Sequence, residues 1–166
     1  TGNFFAAMPR SIRDKSELYG VELDSVTGAI AKQLHPNTHI EVRGFEEVPY
    51  QNNSFDLVLT NVPFGNFRIA DKNYDKPYMI HDYFVKHSLD LVRDGGQVSI
   101  ISSIGTMDKR TDNVLQEIKS STHFLGGVRL PDMAFKRIAG TRVTTDLLFF
   151  QKDQAKNLHE EELVFS

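Results

Sequence analysis

The chain has 166 residues, 40% of them apolar and 25% charged, with a net charge of −3 and a pI near 6.0; this is the balance of a globular protein large enough for one sizeable core. It contains no cysteine, which excludes disulfides, cysteine-ligated zinc and thiol catalysis, and its six histidines are scattered with no HExxH pair, so no metal site is expected. No apolar run approaches the roughly 20 residues that span a bilayer, so no membrane partner is expected, the cytoplasm is the expected compartment, and the acidic balance argues against a free-standing DNA-binding module.

Residues 4–13 predict a helix, entered from Thr1-Gly2-Asn3. That glycine turn either lets a ligand approach a helix start or is an ordinary loop. Leu18–Leu23 predicts a buried strand that ends in acidic residues. Asp24 and Ser25 are good N-caps for a helix over 25–34, which His35-Pro36-Asn37 stops. A strand over 39–43 leads into Gly44-Phe45-Glu46-Glu47. Ser54–Thr60 predicts an apolar strand of the kind buried in a parallel sheet, followed by a long polar loop over 61–77. Ile80, Phe84, Val85, Leu89 and Val92 have helical spacing over 79–92. Gly95-Gly96 ends that unit and Gln97–Ser102 forms the next strand. A helix near 111–120, a strand over 124–129, a loop over 131–142 and a strand over 143–151, rich in β-branched and aromatic residues, complete the pattern. From residue 153 to 166 the chain reads as a polar tail or linker, with Glu160-Glu161-Glu162 in it.

Strands alternating with helices imply an α/β fold, a mostly parallel sheet with helices on both faces and ligands at the carboxyl ends of the strands. The last strand follows its neighbour without a helix, so those two are expected to pair antiparallel. Three candidate sites fall at strand ends. Glu22 is suited to accept from both hydroxyls of a ribose, or to cap the next helix. Phe45 is suited to stack on a flat ring, or to fill the core. Asn61-Val62-Pro63-Phe64 sets an amide, a stiffened backbone and an aromatic at the end of the most apolar strand, or makes a turn with Phe64 in the core.

The string Asp56–Gly65, with its Asn-Val-Pro-Phe after a buried strand, resembles the Asn-Pro-Pro-Phe signature of adenine-N6 DNA methyltransferases. Gly20–Asp24 resembles their ribose-binding acidic motif, and Thr1–Phe5 the end of their glycine-rich cofactor loop. Further segments, Ile80–Phe84, Gly105–Lys109, Arg129–Pro131, Ala134–Lys136 and Gly140–Asp146, resemble the methylase domain of large helicase-linked proteins of conjugative elements and phages. The likeness runs from residue 1 to about 152.

The resemblance implies a catalytic domain over 1–152 with the Rossmann-like class I fold and S-adenosylmethionine as cofactor, held by Thr1, Gly2, Asn3, Glu22, Phe45 and Glu46. It implies methyl transfer to adenine N6 in DNA, within a larger restriction-modification or mobile-element protein. Asn61, Val62, Pro63 and Phe64 would be catalytic, with Phe64 stacking on the flipped-out base. Phe135 would cover the base's other face, and Lys136 and Arg142 would reach phosphates; loop packing and solvated charges are the plainer readings of those three. The remainder of a larger chain, or a recognition subunit, is the implied partner.

Three departures stand out. Val62 replaces a proline, leaving the loop less rigid. Gly44 replaces the usual acid before Phe45, with Glu46 as the candidate substitute. The strand and acid that precede the glycine loop in the family are absent, so the first strand is expected to be missing. The fragment alone is then expected to bind cofactor weakly and to be inactive, and a homodimer through the open strand edge is a further expectation. Methyltransferases acting on RNA or on protein glutamine, and a non-catalytic methylase-like module, are the alternative functions.

Overall fold

The computed structural model describes residues 2–63, 65–103, 113–131 and 144–156. They fall into two compact units, Thr1–Pro49 and Tyr50–Ser166.

The first unit runs α1 (Asn3–Ala7), α2 (Arg10–Arg13), β1 (Tyr19–Glu22), α3 (Ser25–Leu34), β2 (His39–Val42) and a 3₁₀ turn (Phe45–Glu47). The single helix expected over 4–13 is two short ones. Pro9 has no N–H to continue the first, and its ring forces the preceding Met8 into extended backbone, ψ 131°. α3 starts as expected: the Asp24 carboxylate accepts from the Thr27 N–H at 2.7 Å, which holds its carboxyl below the usual range. β1 and β2 pair in parallel with Glu22 opposite Val42. Helix and sheet approach closely at Gly28, where a Cβ would sit 2.7 Å from Val42 Cγ2.

The second unit runs β3 (Phe55–Asn61), β4 (Arg68–Ile69), β5 (Tyr78–Met79), α4 (Ile80–Leu91), β6 (Val92–Ser103), α5 (Asn113–Ser121), β7 (Thr122–Leu130) and β8 (Thr145–Lys152). Four strands form one sheet in the order β3-β6-β8-β7. β3 and β6 are parallel, and β8 is antiparallel to both of its neighbours. The last strand therefore has the expected direction, and it lies between β6 and β7. Val58 of β3, Val98 and Ile100 of β6 and Leu148 and Phe150 of β8 pack with Val85, Leu89 and Val92 from α4 and its end, and Ile118 of α5 joins them. One alternating set of side chains per strand thus faces the helices.

Two expectations are corrected. The loop over 61–77 contains β4, which forms an antiparallel ribbon with β5. β6 begins at Val92 and runs through Gly95-Gly96, which do not end the helical unit as punctuation. The passage works because these two are glycines: Gly95 has φ 72°, and a Cβ on Gly96 would sit 2.8 Å from the Arg93 carbonyl. The C-terminus of α4 is closed from a distance. Lys152, the last residue of β8, donates through Nζ to the carbonyls of Leu89 (2.8 Å) and Val92 (3.0 Å) and to Asn53 Oδ1 (2.8 Å). A cation there satisfies carbonyls the helix leaves open, and burial pulls its ammonium pKa down.

Candidate active site

β3 ends on Asn61, opposite Ile101 of β6. The Asn61 side chain is exposed at the carboxyl edge of the sheet, and among the described residues its amide has no hydrogen-bond partner. Val62 does what a proline there would not. Its N–H donates to the Ile101 carbonyl at 2.9 Å, and its side chain, 1% exposed, lies in the core. The parallel ladder is thereby extended one residue beyond the strand. The expected loss of rigidity at this position is met by a backbone bond and a buried side chain in place of a fixed φ. Pro63 is exposed just beyond.

The next row across the same edge is polar. Ser102 of β6 stands opposite Asp146 of β8, which stands opposite Arg129 of β7. Asp146 is fully buried, and Arg129 grips it through Nε at 2.8 Å and Nη2 at 3.1 Å. Two separate oxygens and a planar fork make this the bidentate arrangement that fixes geometry as well as charge. It clamps β7 to β8 where both border the 131–144 connection.

In the first unit, Glu22 and the Phe45–Glu47 turn occupy the same carboxyl edge of the β1–β2 pair, since the Arg43 N–H continues the ladder to the Glu22 carbonyl at 3.1 Å. Glu22 is not the cap of α3; Asp24 is. The Glu22 carboxylate instead accepts from the Asp24 N–H at 3.3 Å and stays partly exposed. Phe45 and Glu46 are half-buried and Gly44 is buried. A Cβ built on Gly44 would overlap the Glu46 carboxylate. The Glu46 side chain therefore folds back into the space that an acidic side chain at position 44 would take. Two carboxylates able to accept from hydroxyls and one aromatic face thus stand at neighbouring strand ends. Gly2 enters α1 in the left-handed region, φ 74°, with a Cβ there falling 2.6 Å from the His35 ring. Asn3 is exposed at the start of α1.

Thr1, Phe64, Phe135, Lys136 and Arg142 lie outside the described residues. Sequence reasoning missed the partners of two segments it singled out. Tyr83, in Ile80–Phe84, donates its hydroxyl to Asp71 Oδ2 at 2.7 Å, and Asp146, in Gly140–Asp146, holds Arg129. The signal to follow was a carboxylate set in a run of strand-forming apolar residues, which demands a partner when buried.

The sequence profile of the family described as N-6 DNA Methylase matches residues 6–166. The Defense against restriction protein B of Escherichia phage P1 is 33% identical over 150 residues, which are 86% of this chain and 7% of that protein. A protein of Listeria monocytogenes described as a class I S-adenosylmethionine-dependent methyltransferase superposes with a TM-score of 0.69 at 18% identity, over 93% of this chain and 51% of that one. The M protein of the type I restriction enzyme EcoKI superposes with a TM-score of 0.65 at 19% identity, over 94% of this chain and 36% of that one. At these identities the two structures show the fold, which is the class I one. The chain spans 7% of the length of the phage relative. Among the described residues no helix is long and apolar enough to cross a membrane.

Proposed function

Because this chain belongs to the N-6 DNA methylase family, we propose that the methyl transfer it carries out is to the N6 amino group of adenine in DNA, as one part of a larger restriction-modification or mobile-element protein. The observation that carries this reading is the corner at Asn61–Pro63: an exposed amide at a strand's carboxyl end, without a partner among the described residues, followed by a residue whose backbone is pinned to the next strand.

S-adenosylmethionine, the cofactor that family and fold imply, supplies an electrophilic methyl group when bound. Glu22 would hold its ribose, Phe45 would stack on its adenine, and Glu46 would stand in for the acid at position 44. The chemical difficulty lies with the acceptor. The lone pair of an adenine amino group is delocalised into the ring, so the nitrogen is a poor nucleophile. The Asn61 side-chain oxygen and the Val62 carbonyl accept from its two N–H groups and return electron density to the nitrogen. Preorganised acceptors of this kind need no rearrangement as charge develops. Phe64 stacks on the extruded base, and holding the reactants in line supplies the rest.

The test is to incubate the larger protein that contains this chain with methyl-labelled cofactor and, separately, plasmid DNA, ribosomal RNA and a glutamine-bearing protein acceptor, then to digest each and analyse the products. N6-methyladenine in the DNA digest is expected. Label confined to RNA or protein would replace the DNA assignment, and no label in any acceptor, with cofactor still bound, would favour a non-catalytic module.

A further inference from the structure

The negative balance of the chain is reversed locally between β3 and α4. The segment between the Asn61–Pro63 corner and α4 bears Arg68, Lys72 and Lys76 exposed, and Lys86 follows on the helix. The carboxylates nearby are Asp75, Asp82 and Asp71, and the last is already engaged. Asp71 is buried, its Oδ2 accepting from Tyr83 at 2.7 Å and its Oδ1 from the Asn73 N–H at 2.8 Å. Among the described residues no carboxylate stands within ion-pair distance of Arg68, Lys72 or Lys76. Arg68 donates to the Pro77 carbonyl at 3.1 Å, and the Lys76 ammonium lies 5.6 Å from the centre of the Tyr78 ring.

The segment is fixed in place. β4 and β5 pair, and the Ile80 N–H at the start of α4 donates to the Phe67 carbonyl at 3.0 Å. Tyr74 anchors the far end: its ring lies edge-on to Tyr78, Tyr83 and His87, and its hydroxyl donates to Asp90 Oδ2 at 2.7 Å. Burial and then that bond push the hydroxyl well above its ordinary pKa, so it stays a donor.

Its place follows from the topology. β3 delivers the chain to the carboxyl edge at Asn61, and α4 must leave from that edge to return and feed the parallel strand β6. The two ends of the segment are thus tied to that edge, Gly65 following the Asn61–Pro63 corner and Tyr78–Met79 leading into α4, while Tyr74 between them reaches along the helix to Asp90. Within the segment Phe67 is 52% exposed, its ring lying over the Gly65 backbone, where a Cβ would meet it at 2.5 Å. An aromatic face left half in water among unneutralised cations has the makings of a nucleic-acid contact: stacking for bases, charge for phosphates.

We propose that this ribbon grips DNA at the active site, with Arg68, Lys72 and Lys76 on phosphates flanking the target adenine and Phe67 stacked on a base uncovered when that adenine leaves the helix. The inference rests on the adenine-in-DNA reading above. The experiment is fluorescence anisotropy of the full 166-residue chain with labelled DNA over a series of salt concentrations. The triple variant Arg68→Ala, Lys72→Ala, Lys76→Ala should lower the slope of log affinity against log salt by about 2–3, at about 0.9 for each phosphate no longer neutralised. The control Arg10→Ala, Lys15→Ala, Lys32→Ala, all exposed cations of the other unit, should leave the slope unchanged, and both triples should keep the parent's thermal midpoint. Phe67→Ala should weaken binding to a single strand containing adenines by roughly tenfold, the loss of one base–aromatic stack. Equal slopes for parent and ribbon variant, an equal fall in both triples, or no binding at low salt would overturn the proposal. Methyladenine assayed in parallel with the larger protein that contains this chain, parent and ribbon variant, separates the two readings. DNA methylation with an unaltered slope removes the ribbon alone, whereas methylation of RNA only removes the DNA assignment and the proposal with it.

Discussion

Restoring the family's proline should damage this protein. In Val62→Pro the N–H that donates to Ile101 at 2.9 Å is replaced by a ring carbon aimed at the same carbonyl. Losing the bond and leaving its acceptor without a partner costs about 1–3 kcal/mol. The ring carbon must also push the strand ends apart, adding on the order of 1 kcal/mol or more. Proline's restriction of the unfolded chain offsets about 0.4–1 kcal/mol. The net is a destabilisation of about 1–3.5 kcal/mol. With a urea m-value of about 1–3 kcal/mol/M, the unfolding midpoint should fall by roughly 1 M. Val62→Ala is the companion variant. It gives up two buried methyl groups, about 1.6 kcal/mol before any cavity cost, but it keeps the N–H, so the amide at 62 should stay protected in hydrogen exchange. A Val62→Pro protein that unfolds at or above the parent's midpoint would refute the claim that the backbone bond anchors this corner.

In the larger, active protein Asn61→Ala and Phe64→Ala should each lower methyl transfer by about 10²-fold or more while cofactor affinity holds; label incorporation and calorimetry check the two halves, and normal turnover by Asn61→Ala would remove its base contact. Glu22→Ala should weaken cofactor binding by about 1.5–3 kcal/mol in a calorimetric titration, and agreement with the parent would leave Glu22 only its bond to the Asp24 amide. Gly44→Asp alone should lose both stability and cofactor affinity, because its side chain meets the Glu46 carboxylate, and adding Glu46→Ala should restore them; a double variant no better than the single would show that Glu46 is not the substitute acid. Arg129→Met should cost about 2–4 kcal/mol in urea unfolding, by stranding the buried Asp146 carboxylate and after discounting for the half-exposed arginine, and Asp146→Asn in the same background should recover part of it.

The strands and the long helices are legible where a residue's neighbours in sequence decide its state. The apolar run over 55–60, the Asp24 cap and the 80–91 periodicity are local signals, and each element stands where it is expected. The failures are also physical. Apolar periodicity over 4–13 hides the effect of Pro9 on Met8, though proline geometry forbids one continuous helix. Gly95-Gly96 reads as punctuation, yet it is what lets β6 pass close to the β3 backbone. The β4–β5 ribbon has only two residues per strand and is held by Tyr74, Tyr83 and Asp71, contacts that no window of sequence contains. For the site, Asn61 and Glu22 are visible by type and position, whereas the Val62 anchor and the folding of Glu46 over Gly44 depend on atoms brought together by the fold. The Arg129–Asp146 clamp joins residues that are strand neighbours only because β8 lies against β7.

The position of β8 also governs how the protein is made. β6 and β7 are synthesised first, and among the described residues they are joined in the sheet only through residues 145–152, which pair with both. At about 5–20 residues per second on the ribosome, those two strands wait on the order of 1–4 seconds after residue 130 is added for their shared partner. During that interval two strand edges and the C-terminal carbonyls of α4, later closed by Lys152, are open to any other chain. A premature stop before 145 would therefore leave a chain that cannot complete its sheet and that should accumulate as aggregate or be degraded. Late arrival of β8 thus makes residues 145–152 the step on which the four-stranded sheet depends for completion.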